Sequence, residues 1–119
     1  MIGLGIDIVK IDRIQKLYDR FGNKFLEKIF FPLEVIDARE KGHFVSSLAG
    51  KFASKEAWIK AVTGITNQSL SFKDVLILSD RNNKPYITIR SNEKFSSEHN
   101  FLVSISHEKD YAVAVVAVF

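Results

Sequence analysis

Four groups of residues have types and spacings that could do chemistry. Asp7 sits near the end of the apolar run Ile2-Gly3-Leu4-Gly5-Ile6-Asp7-Ile8-Val9. Alternation puts Ile2, Leu4, Ile6 and Ile8 on one strand face and Gly3, Gly5, Asp7 and Val9 on the other. Two glycines beside a carboxylate leave space for a ligand or a closely approaching backbone. The plainer alternative is an acid that marks the strand end and caps the next helix. The second group is Glu56 with Lys60, in Lys51-Phe52-Ala53-Ser54-Lys55-Glu56-Ala57-Trp58-Ile59-Lys60. Helical spacing puts Glu56 beside Val45 and Ala49, at the edge of an apolar stripe, with Lys60 one turn on. Glu before Lys at i, i+4 is also an ordinary helix-stabilising pair. A half-buried carboxylate, however, calls for a partner, either a metal ion or an arginine.

The third group is Ser104-Ile105-Ser106-His107 at a strand end. Alternation separates Ser106 and His107 onto opposite faces, so they are not a nucleophile and its base. With no Gly-x-Ser-x-Gly elbow either, a hydrolase triad is excluded. His107 shares the face of Val103 and Ile105, where it could also be a simple hydrogen-bonded turn residue. The fourth group is the basic stripe Lys10, Arg13, Lys16 and Arg20, continued by Lys24 and Lys28. It reads as a solvated helix face or as a docking strip for phosphates or an acidic helix. No Walker loop, dinucleotide fingerprint, His-Glu-x-x-His or calcium loop occurs. Any metal site must therefore be assembled from distant carboxylates, a donor set that suits Mg²⁺.

The elements that position these residues follow from periodicity. The pattern predicts a strand over 2–9, a helix over 12–20 broken by Gly22 and Asn23, and a short helix over 24–30. Pro32 opens a further helix that Gly42 closes. The longest helix spans Phe44 to Val62, with an apolar stripe of Val45, Leu48, Phe52, Ile59 and Val62, and Gly64 ends it. A strand over 70–78, the turn Asp80-Arg81-Asn82-Asn83-Lys84 and a strand over 86–89 form a hairpin. Residues 91–98 read as a short polar helix or loop. Strands over 101–107 and 111–119 form a second hairpin. The class is α+β, with one domain over 1–119.

Composition bounds the rest. A chain of 119 residues, 46% hydrophobic and 26% charged, is long enough for one core and too apolar for disorder. The absence of cysteine excludes disulfides, thiolate metal sites and cysteine nucleophiles. No run is long enough for a membrane helix, and the first residues lack a signal-peptide pattern, so a cytoplasmic protein is expected. The net charge of +3 attracts phosphates, nucleic acid or acidic proteins without choosing among them.

Taken together, Gly3-Leu4-Gly5-Ile6-Asp7-Ile8 with Ile11-Asp12-Arg13-Ile14, and Phe52-Ala53-Ser54-Lys55-Glu56-Ala57-Trp58-Ile59-Lys60-Ala61, resemble the two signature motifs of phosphopantetheinyl transferases. Asn82-Asn83-Lys84-Pro85-Tyr86 and Ser104-Ile105-Ser106-His107 are similar to segments of the holo-acyl-carrier-protein synthase branch. The resemblance implies Mg²⁺-dependent transfer of the 4′-phosphopantetheine arm of coenzyme A to a serine of apo-acyl carrier protein, for fatty acid biosynthesis. It implies a small antiparallel sheet packed with one long and several short helices, in a homotrimer with sites between subunits. Asp7 and Glu56 would ligate Mg²⁺. Lys60 would stabilise or protonate the leaving phosphate, and Glu56 would act as base directly or through water. His107, from a neighbouring subunit, would bind coenzyme A, with Lys55, Lys60, Lys84 and Pro85 along the same ligand. Arg13, Arg20, Lys24 and Phe25 would meet the acidic helix of the carrier. Neither nucleic acid nor membrane is an expected partner. A non-enzymatic basic module for RNA or an acidic protein is the alternative, but it gives Asp7 and Glu56 no task. A small metal-dependent phosphoesterase would share the carboxylates and modify no carrier. Three departures from the family pattern stand out: Lys51 where arginine is usual, Asn83 in place of a turn glycine, and a missing second glycine after the long helix.

Overall fold

The computed structural model describes residues 1–90 and 99–119. Its order is β1 (Gly3–Lys10), α1 (Ile11–Phe21), α2 (Asn23–Ile29), α3 (Pro32–Glu40) and α4 (Phe44–Val62). A 3₁₀ turn (Phe72–Asp74), β2 (Val75–Ser79), β3 (Pro85–Ile89), β4 (Phe101–His107) and β5 (Tyr111–Val118) complete it. The class is α+β as expected, with two small antiparallel sheets: β1-β5-β4, with β5 central, and the hairpin β2-β3. The expected strand over 70–78 is shorter. Ser71 caps a 3₁₀ turn, accepting from Lys73 N–H at 3.1 Å, and pairing starts only at Val75. The expected polar helix or loop over 91–98 lies outside the described residues.

The local chemistry explains the breaks. Gly22, at φ +55°, ends α1 and returns its N–H to Tyr18 O at 2.7 Å. Gly42 and Gly64 likewise take positive φ after α3 and α4. Asn83 takes φ +63° in the hairpin turn, so it supplies the left-handed conformation in place of glycine.

Helix α4 is the axis of the molecule. Its apolar surface is wider than the expected stripe, since Ser47 to Lys55, Ala57, Trp58, Ala61 and Val62 are all buried. Ala49, Ala53, Ala57 and Ala61 recur every four residues and make one ridge small enough for close approach. The face of β1 that carries Gly3, Gly5, Asp7 and Val9 lies against it. A Cβ on Gly5 would sit 1.9 Å from Ala57 O, and one on Gly3 would sit 2.2 Å from Ala61 O. The space beside Asp7 is thus filled by helix backbone. Alternate β5 residues, Ala112, Ala114, Val116 and Val118, complete this inner face.

The usual burial of a strand's apolar face is inverted in β1. Leu4, Ile6 and Ile8 are 58%, 60% and 62% exposed. They pair in register with Ala117, Val115 and Val113 of β5, so the outer face of the sheet is a continuous apolar surface.

The contact between β1 and α4 yields a direct expectation. Gly5→Ala places a methyl group inside the van der Waals radius of a carbonyl oxygen, and overpacking of this kind costs about 3 kcal/mol. Denaturant unfolding should show that loss.

Candidate active site

β1 and α4 bring the two signature segments together. Asp7 faces inward from β1, opposite Ala114 of β5. Lys60 Nζ donates to Asp7 Oδ1 at 3.1 Å and to Ile6 O at 3.0 Å. Glu56, one turn before Lys60, is half-buried beside them. Burial pushes its carboxyl pKa up, Asp7 pushes it further up, and Lys60 and Arg13 oppose the shift. Among the described residues none hydrogen-bonds to Glu56. The two carboxylates therefore repel each other, and Lys60 hydrogen-bonds only to Asp7. No group of three or more His, Cys, Asp or Glu converges among the described residues. A cation here would thus draw its remaining ligands from substrate or water.

Glu56 is also among the residues lining an open groove of about 400 Å³. Leu17, Phe21, Phe25, Ile29, Phe52 and Phe72 form its apolar walls, and Arg13, Lys24 and Lys28 its basic rim. Arg13 stacks over Phe52 at 5.6 Å, and Arg20 stacks over Phe21 at 5.0 Å beside the groove. Arg13, Lys24 and Phe25 thus meet in one feature, with Arg20 adjoining it. Phe25 is only 7% exposed and offers no more than an edge. Phe21, Phe52 and Phe72 were not singled out as site residues from sequence. Spacing marked Phe52 as part of the apolar stripe of the long helix, and Phe72 fell within an expected strand.

A second pocket, of about 240 Å³, lies at the start of α4. Lys41, His43, Ser47, Lys51, Asn83, Pro85 and His107 are among its lining residues. His107 Nε2 lies 2.9 Å from Ser46 O, and the ring packs on Gly50, where a Cβ would be 2.7 Å from Nε2. Burial lowers the His107 pKa, the Ser46 carbonyl opposes this, and His43 and Lys41 lower it further. His107 and Pro85 of the same chain therefore line one pocket, and the exposed Lys84 adjoins Pro85. Lys41 reaches across to hydrogen-bond Asn83 Oδ1.

Lys55 departs from expectation. It is fully buried, pairs with Glu34 at 2.8 Å, and donates to Phe72 O and Val75 O, both at 2.8 Å. It has neither a free donor nor surface for coenzyme A. Lys51 is also buried, donating to Asp37 Oδ2 at 2.5 Å and to Ile77 O at 2.7 Å. Neither the Glu34 nor the Asp37 partnership has a signal in the sequence, because the partners lie 21 and 14 positions away.

Residues 3–116 match the family model of the 4′-phosphopantetheinyl transferase superfamily. A holo-[acyl-carrier-protein] synthase of Halothermothrix orenii is 40% identical, over 96% of this chain and 94% of the relative. That of Chlorobium chlorochromatii is 41% identical over 97% and 98%. The crystal structure of the Helicobacter pylori holo-[acyl-carrier-protein] synthase in complex with coenzyme A superposes with a TM-score of 0.84. It is 40% identical over 98% of this chain and 99% of that one. The Bacillus anthracis enzyme gives a TM-score of 0.80 at 36% identity, over 98% and 95%. The chain belongs to the 4′-phosphopantetheinyl transferase superfamily.

The raised Glu56 pKa has a stability consequence. A carboxyl whose pKa is higher folded than unfolded adds stability below its unfolded value, and that stability is lost as pH rises through the folded value. In chelator-treated protein, Glu56→Gln should therefore melt at a higher temperature than wild type near neutral pH. The gap should close by about pH 3, where the wild-type carboxyl is protonated in both states.

Proposed function

We propose that this chain is a holo-[acyl-carrier-protein] synthase. It transfers the 4′-phosphopantetheine of coenzyme A to a serine of apo-acyl carrier protein and releases adenosine 3′,5′-bisphosphate. The observation that carries the reading is the convergence of Asp7, Glu56 and Lys60, with Glu56 lining an apolar groove with a basic rim. Superfamily membership supplies the reaction class.

The donor set fits Mg²⁺. Two carboxylates with their own mutual repulsion, one of them without a hydrogen-bond partner among the described residues, are what a hard divalent ion relieves. When bound, the ion supplies charge neutralisation at the pyrophosphate. In the reaction, the carrier serine oxygen bonds to the phosphorus bearing pantetheine, and the pyrophosphate P–O bond breaks. Glu56 takes the serine proton directly or through water, and burial and Asp7, by raising its pKa, make it a stronger base than an ordinary carboxylate. Lys60 stabilises or protonates the phosphate that leaves with adenosine. Arg13, Arg20 and Lys24 attract an acidic helix, and the aromatic walls with the edge of Phe25 receive its apolar side. His107, Pro85 and Lys84, with Lys41, serve the nucleotide end of coenzyme A.

Two further features support a homotrimer with shared sites. The outer face of β1-β5-β4 exposes Leu4, Ile6, Ile8 and Leu102, an apolar surface suited to another copy. The basic pocket and Glu56 also point away from each other on α4. At ~100° per residue, Gly50 is turned about 120° and Ser47 about 180° from Glu56. A ligand that meets both features therefore meets them on different copies, and His107 comes from the neighbour. The unit is one domain over 1–119 acting in the cytoplasm. Among the described residues no helix is long and apolar enough to cross a membrane.

The test is intact-mass spectrometry of apo-acyl carrier protein incubated with the chain, coenzyme A and Mg²⁺. The carrier should gain one phosphopantetheine, and EDTA should abolish the gain. Asp7→Ala and Glu56→Ala should each remove transfer by at least about a hundredfold while far-UV circular dichroism is unchanged. Wild-type turnover by Asp7→Ala in EDTA would sink the mechanism. Ile6→Glu should convert the trimer to monomer in light scattering and abolish transfer with it, because a charge on that face opposes burial.

A further inference from the structure

The Glu34–Lys55 pair is fully buried at both ends and has no part in the chemistry above. Glu34 Oε1 accepts from Phe31 N–H at 2.9 Å and from Lys55 Nζ, and Oε2 accepts from Ile77 N–H at 2.8 Å. Lys55 gives its other two N–H groups to the carbonyls of Phe72 and Val75. An ion pair that only joined α3 to α4 would need none of the contacts to Phe72, Val75 and Ile77. Those contacts hold the segment running from the 3₁₀ turn into β2.

That segment carries Phe72. Its ring lies 5.5 Å from that of Phe52, and both line the groove together with Glu56. Lys73 Nζ anchors the same segment to Phe30 O at 2.7 Å, on the side of α2. Lys55 anchors it to α4, directly beside Glu56 in sequence. The ammonium is compact and its three donors are all used, so its position sets the position of the Phe72 backbone.

We infer that Lys55, held in place by Glu34, is a positioning residue for the carrier groove: it fixes Phe72 against α4 and so sets the width of the groove leading to Glu56. The inference rests on the proposed function, which makes this groove the seat of the carrier helix. The Lys51–Asp37 pair is its counterpart further along β2. It donates to Ile77 O and adjoins the basic pocket instead.

The test uses the full chain and apo-acyl carrier protein, with calorimetric affinity and steady-state constants measured side by side. Glu34→Gln/Lys55→Met removes both charges together, leaves no lone charge in the core, and deprives Phe72 O and Val75 O of their donor. Phe72→Ala removes the wall itself. Lys55→Arg keeps the charge opposite Glu34 but not the compact ammonium, and it serves if the double variant does not fold. Each folded variant should bind the carrier about tenfold more weakly, with a matching rise in carrier KM and coenzyme A KM within about twofold. Adding Phe72→Ala to the double variant should cost little more, because both act through one wall. Wild-type carrier affinity in a folded Lys55 variant would overturn the inference. So would equal rises in both KM values, which mark a merely structural pair. A wild-type chain that binds carrier but transfers nothing overturns the transfer reading alone, and the affinity series still decides the groove. A wild-type chain that binds no carrier overturns both.

Discussion

Helix α4 and strand β1 touch backbone to backbone. Gly3 and Gly5 lie where any Cβ would collide with the carbonyls of Ala61 and Ala57, and those alanines belong to a ridge of small residues one turn apart. The rest of the molecule depends on this contact. It places Asp7, two residues after Gly5, within reach of Lys60 and in electrostatic contact with Glu56. A larger residue at either glycine would lift the strand away from the helix and part the carboxylates. The glycines are thus spacers for the chemistry, and their lack of side chains is paid back in the proximity of groups 49 positions apart.

A helix buried on nearly every side must settle its polar residues internally. Lys51 and Lys55 lie one turn apart on α4, face Asp37 and Glu34 of α3, and reach carbonyls of β2 and the turn before it. Burial lowers both lysine pKa values, and the paired acids oppose the shift. Leaving one partner of such a pair alone in the core costs about 3–5 kcal/mol. The two rungs hold the β2-β3 hairpin, which pairs with neither β1 nor β5. One end of that hairpin adjoins the groove and the other adjoins the basic pocket.

The half-buried state of Glu56 links stability to chemistry. Burial and Asp7 disfavour its charge, so the folded chain holds an electrostatic tension that a bound cation would relieve. The same two causes make this carboxylate more basic than an ordinary glutamate. The outer sheet face is unsatisfied in a parallel way, exposing branched aliphatic side chains that a second copy would cover.

Local sequence determined much of this. The helix over Phe44–Val62 was legible to the residue, because its periodic pattern is long and bounded by glycines. The signature segments around Asp7 and Glu56 could be read from residue type and spacing. Asn83 could be read as a left-handed turn residue, because few side chains tolerate that conformation. Other features came only from tertiary structure. Which face of β1 is buried was decided by the fit of glycine against the alanine ridge, which outweighed the pull of its isoleucines toward the core. Lys55 looked like a ligand-binding lysine until folding placed Glu34 and two carbonyls around its ammonium. The groove joins α1, α2, α4 and the 3₁₀ turn, and no local pattern encodes a wall shared by four elements. Periodicity reports what one segment prefers, whereas ion pairing and burial depend on distances that exist only once the segments have packed.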